Sequence, residues 1–77
     1  MQVTVELQAY LARYSPSGEA VFPYTLSEGA TVQTLVRQLS VPEEMAAVIV
    51  LNERSGDFED PLHEGDRVTL IPPIAGG

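Results

Sequence analysis

An α+β fold, with one helix packed on one face of a small mixed sheet, is what this 77-residue sequence predicts, and three patterns predict it. Residues 2–8 alternate between apolar and polar. Residues 32–39 carry an apolar stripe at helical spacing, and two short apolar runs, 46–51 and 67–71, follow it. At this length the chain forms one domain, close to the size at which a single core barely suffices, and it has no cysteine to staple it.

Within Gln2 to Gln8, Val3, Val5 and Leu7 share one face and Gln2, Thr4, Glu6 and Gln8 the other, the pattern of a half-buried strand. The period of two is lost from Ala9 to Tyr14, where Tyr10, Leu11 and Tyr14 fit a short helical turn before the loop Ser15-Pro16-Ser17-Gly18. Ala20 to Leu26 reads as a second strand. Pro23 inside it cannot donate to a ladder, which places that strand at a sheet edge, in a hairpin with the first. Thr31 is an N-cap, and Val32, Leu35, Val36 and Leu39 recur at i, i+3, i+4 and i+7, so an amphipathic helix of about ten residues starts there. A second short turn starts at Pro42, with Glu43 and Glu44 suiting the helix dipole.

The run Ala46 to Leu51 is a third strand with two apolar faces, Val48 and Val50 on one and Ala47, Ile49 and Leu51 on the other. It is either buried on both sides or leaves one set for a partner. Asn52 to Asp66 reads as a loop with Gly56 and Gly65 as turn residues, Pro61 as a breaker and Leu62 as its apolar anchor. Arg67 to Ile71 is the last strand. If Val68 and Leu70 face the helix, Thr69 and Ile71 face away, and Ile71 with Ile74 and Ile49 or Leu51 then forms an apolar patch. The crossover through the helix lets the last strand lie parallel to the first in the centre of the sheet, which is the β-grasp arrangement. Residues 1–71 form this domain and residues 72–77 a flexible tail.

The tail, Pro72-Pro73-Ile74-Ala75-Gly76-Gly77, has two prolines that hold an extended path and then almost no side-chain bulk. Composition narrows what it can serve. A net charge of −7 repels phosphate, which disfavours nucleic acid and anionic membranes and favours a basic partner. No basic leader precedes an apolar run, and no stretch approaches the about 20 apolar residues of a membrane span, so the expected location is cytoplasmic. Without cysteine the chain carries no persulfide or thiolate metal site, and without lysine no side chain offers a Schiff-base amine or an isopeptide acceptor.

Two runs carry a family resemblance: Asp60-Pro61-Leu62-His63-Glu64-Gly65-Asp66-Arg67-Val68, and Leu70-Ile71 followed by the tail. They resemble the C-terminal signature of the MoaD/ThiS-type ubiquitin-like sulfur carriers. Pro-Pro before an apolar residue and Gly-Gly is more similar to the small subunit of molybdopterin synthase than to the thiazole sulfur carrier. Ala30-Thr31-Val32 with Leu35 and Leu39 matches as well, while Asn52-Glu53-Arg54-Ser55-Gly56 stands where the family has a compact Asn-Gly turn. The resemblance implies that a ubiquitin-activating-type adenylyltransferase uses ATP to adenylate Gly77, with Gly76 giving clearance. A sulfur donor protein then converts the adenylate to a thiocarboxylate. It also implies a MoaE-like large subunit, gripped through Ile71, Pro72, Pro73, Ile74, Ala75, Ile49 and Leu51, in which the sulfur reaches a pyranopterin; this chain itself binds no cofactor or metal.

Other readings stand beside it: a carrier for thiamin thiazole or another sulfur-incorporating pathway, a ubiquitin-like modifier joined to target lysines, or a non-catalytic interaction domain. His63 sits in a turn among carboxylates, without a Ser, Cys or second His beside it, and reads as a solvated residue. Asp57, Glu59, Asp60, Glu64 and Asp66 fail the calcium-loop spacing and read as a solvated face or a dock for a basic partner. Tyr10, Tyr14, Phe22, Tyr24 and Phe58 read as core and edge packing.

Overall fold

The structure, a computed structural model, describes residues 1–74. The strands are β1 (Gln2–Leu7), β2 (Val21–Thr25), β3 (Val48–Leu51), β4 (Arg54–Ser55) and β5 (Arg67–Ile71), with one α-helix, α1 (Val32–Gln38). They form one sheet in the order β2-β1-β5-β3-β4, in which β5 runs parallel to β1 and the other pairs are antiparallel. This is a ubiquitin-like β-grasp fold with β5 in the middle.

Alternation in β1 buries Val3, Val5 and Leu7, and the helical stripe buries Val32, Leu35, Val36 and Leu39, so one core lies between α1 and one face of the sheet. Leu11, from a 3₁₀ turn at Ala9–Tyr14, and Leu62, from the long loop, close its two ends. Thr31 caps α1 reciprocally: its Oγ1 accepts from the Thr34 N–H at 3.3 Å, and its own N–H donates to Thr34 Oγ1 at 3.1 Å.

The helix is shorter than its stripe suggests because Ser40 turns left-handed, at φ 63°. The Val41 N–H then bonds the Val36 carbonyl and the Ser40 N–H the Arg37 carbonyl, the paired closure that ends helices, with serine where glycine is usual. Pro42 precedes the 3₁₀ turn Glu43–Met45 as its cap rather than as its first residue.

Strand β2 lies at the edge, as Pro23 requires. Leu7 N–H bonds the Ala20 carbonyl and Leu26 N–H the Met1 carbonyl, so by alternation the backbone nitrogen of Pro23 faces away from β1, where its missing donor breaks no ladder.

The stretch 52–66 holds a strand that the sequence does not announce. Val50 pairs with Ser55 and Leu51 with Arg54 across a two-residue turn in which Asn52 and Glu53 both have positive φ, 52° and 69°. The compact turn survives with glutamate in place of glycine. Asn52 tolerates the geometry because Nδ2 donates to Asp66 Oδ1 and Oδ1 accepts from the Arg67 N–H, both at 2.8 Å. Among the described residues Glu53 makes no such bond. A left-handed L-residue costs about 1 kcal/mol, partly offset by the unfolded-state freedom that glycine would add. Glu53→Gly is therefore expected to raise the melting temperature by a few degrees; a lower value in a thermal melt would refute the strain.

Just beyond, Gly56 comes so close to β3 that a Cβ would lie 3.1 Å from Ile49 Cγ2 and 3.2 Å from Leu51 Cβ. Its lack of a side chain lets the loop close against the core.

Candidate functional site

The site is built where β5 ends. Because β5 lies between β1 and β3, the chain leaves the sheet from its centre, with a neighbouring strand on each side. The Gln8 N–H extends the parallel ladder by bonding the Leu70 carbonyl at 3.1 Å, after which Ala9, at φ 52°, turns β1's continuation away. Pro72 is buried at this corner, whereas Pro73 and Ile74 are exposed, Ile74 at 95%. An open groove of about 300 Å³ runs along the root of the tail, lined by Gln8, Ala9, Tyr10 and residues 71–74. Ala75, Gly76 and Gly77 lie outside the described residues.

The register decides which residues share the face beside this root. Ile49 stands opposite Leu70 and Leu51 opposite Val68, so both point to α1; Ile49 is buried and Leu51 packs partly against the core. The expectation that one of them joins Ile71 on the open face is therefore corrected. Val48 and Val50 take that place, opposite Ile71 and Thr69. The third strand is apolar on both faces, so its alternation could not tell which face the core would claim. Nor is it buried on both sides, since Val48 is 49% exposed.

Ile71 is half-buried and lies on the open face as expected, with Val48 beside it. Farther along the same face, Arg67 Nη2 holds Glu6 Oε1 at 2.7 Å. This partly solvated pair adds little to stability but gives one end of the face a polar border.

The remaining candidates are structural. The His63 side chain is 75% exposed, with Nδ1 3.7 Å from Asp66 Oδ2. Asp60 Oδ2 accepts from the Asp57 N–H, and Asp66 Oδ2 from the His63 N–H, so these two carboxylates tie turns. Among the described residues no group of three His, Asp or Glu side chains is placed to hold a metal. Among them, too, no helix is long and apolar enough to cross a membrane.

Phe22 is buried, and Tyr14, Tyr24 and Phe58 pack partly against the core. Tyr10 is the exception. It is 39% exposed and lines the groove at the tail root, a role that helical spacing with Leu11 and Tyr14 does not reveal.

The sequence model of the ThiS family matches residues 18–77, a span that includes α1, β3, β4, β5 and the tail. The chain belongs to the ThiS family. No curated protein sequence matches this ThiS-family chain. Solved structures do. A complex of subunits 1 and 2 of molybdopterin-converting factor from Helicobacter pylori is similar at 26% identity and a TM-score of 0.61, covering 100% of both chains. The BexX/CysO complex of Amycolatopsis orientalis is similar at 26% identity and a TM-score of 0.62, covering 97% of this chain and 99% of that one. SAMP1 from Haloferax volcanii shares the fold, at 20% identity and a TM-score of 0.74, with 100% of each chain covered. The chain thus falls in the ThiS/MoaD-type family of ubiquitin-like sulfur carriers.

Proposed function

We propose that Gly77 is the reacting residue: its carboxylate is adenylated, converted to a thiocarboxylate and used as a sulfur donor. The observation that carries this reading is the exit of Pro72, Pro73 and Ile74 from the central strand of a ThiS-family fold, ahead of Ala-Gly-Gly. A terminal carboxylate, with a pKa of about 3.5, is ionised at neutral pH and is a poor electrophile. A ubiquitin-activating-type adenylyltransferase would supply ATP; the carboxylate oxygen attacks the α-phosphorus and pyrophosphate leaves. Hydrosulfide released from a donor protein then attacks the acyl carbon, the C–S bond forms as the bond to AMP breaks, and the thiocarboxylate is left on Gly77. Without cysteine, the chain has no thiol of its own to carry the sulfur, which must ride on the backbone terminus. Gly76 adds clearance, as no Cβ meets the walls of a narrow active site. The chain binds no cofactor in this scheme and is not itself an enzyme.

The sulfur is delivered, in this proposal, inside the large subunit of a molybdopterin-synthase-type complex in the cytoplasm. Two features support that pathway: the Pro72-Pro73 signature, and the match over the full length of both chains to a structure in which the relative is complexed with its second subunit. The open face with Ile71, Val48 and Val50, continued by Pro73 and Ile74, is the surface such a subunit would grip.

The test is to purify the chain from its own cells and weigh it intact, then identify the large subunit that accompanies it. Replacement of one oxygen by sulfur, confined to the C-terminal peptide, supports the carrier reading. A large subunit from thiazole synthesis or another sulfur-incorporating pathway would redirect the acceptor. Conjugates on target lysines without thiocarboxylate would make the chain a modifier. Full function after deletion of Gly76 and Gly77 would leave only an interaction domain.

A further inference from the structure

We infer that Tyr10 is a positioning residue for the tail, a side wall that sets the direction in which Pro72, Pro73 and Ile74 leave the sheet. The consequence for activity rests on the carrier function proposed above. Three observations converge on one corner. Pro72 is buried although it lies one residue past the end of β5, and residues 8–10 share its groove. Ala9 holds φ 52°, a left-handed conformation costing an L-residue about 1 kcal/mol, at the point where β1's continuation turns aside. Tyr10 follows at once, 39% exposed in a chain whose other described tyrosines pack partly into the core.

Backbone strain and an exposed aromatic side by side, where the functional segment departs, are better explained by aiming that segment than by packing. Two consecutive prolines make the root stiff, so a small change of angle at Pro72 is carried outward rather than absorbed.

Tyr10→Ala and Tyr10→Phe separate this role from a structural one. In the isolated chain, the amide order parameter of Ile74 should fall below about 0.6 in Tyr10→Ala, stay at the wild-type value in Tyr10→Phe, and do so with little change in melting temperature. In pyrophosphate exchange with the activating enzyme, Tyr10→Ala should lose about ten- to a hundredfold in kcat with KM nearly unchanged, since the open face still docks but the tail arrives misaligned. Tyr10→Phe should restore it. An unchanged Ile74 order parameter overturns the inference, and so does a KM effect alone, which would make Tyr10 a docking contact. Should Tyr10→Ala fail to fold, Tyr10→Gln removes the ring while keeping side-chain length and is read the same way. Absence of exchange by the wild-type chain would instead count against the carrier function, leaving the order-parameter result to judge Tyr10.

Discussion

A chain carrying one extra residue after Gly77 is expected to lose adenylation and sulfur transfer completely while melting at the wild-type temperature. The extension moves the carboxylate by about 3.5 Å along the chain and places a Cβ where the activating enzyme would receive glycine. Neither change reaches the buried residues described at this end of the chain, Leu70 and Pro72. Pyrophosphate exchange, intact mass and a thermal melt read this together. Gly76→Leu should behave in the same way, with exchange falling about a hundredfold through misplacement alone. Exchange at the wild-type rate by either variant, with its mass verified, would remove Gly77 from the proposed chemistry.

Ile49→Asp and Ile71→Asp are expected to fail in opposite ways, although the two isoleucines sit on adjacent strands. Ile49 is 6% exposed and stands opposite Leu70 beneath α1. Truncating such a residue to alanine alone removes about 2–5 kcal/mol, and an unpaired buried carboxylate adds to that. A 77-residue domain has about 4–12 kcal/mol of stability in all. Ile49→Asp should therefore unfold or lower the melting temperature by about 15 °C or more. Ile71→Asp loses a cross-strand contact with Val48 and some strand propensity, about 1–2 kcal/mol, and stays folded. Its effect should appear in a binding titration with the large subunit, where an unpaired charge would be buried. A large loss of stability in Ile71→Asp, with Ile49→Asp tolerated, would mean that the faces are assigned the wrong way round.

The contrast between these two positions shows what could and could not be read from the chain as text. Alternation in residues 2–8, the stripe Val32, Leu35, Val36 and Leu39, the Thr31 cap and Pro23 at an edge were enough to determine the β-grasp order, because each is a local rule enforced by burial or by a missing donor. The small bulk and backbone freedom of the tail residues likewise belong to residue type. Three features waited for tertiary structure.

Apolar periodicity reports that a strand has a face but not which neighbour will claim it. Only the pairing of Ile49 with Leu70 put Ile49 and Leu51 in the core and left Val48 and Val50 beside Ile71. The β3–β4 hairpin was hidden because Glu53 occupies a left-handed position that glycine normally signals; Asn52, held by Asp66 and Arg67 at the start of the neighbouring strand β5, stabilises the turn. The place of Tyr10 at the tail root depends on β5 ending beside the turn at Ala9, two segments about 60 residues apart in sequence that meet only because the first and last strands run parallel at the centre of the sheet.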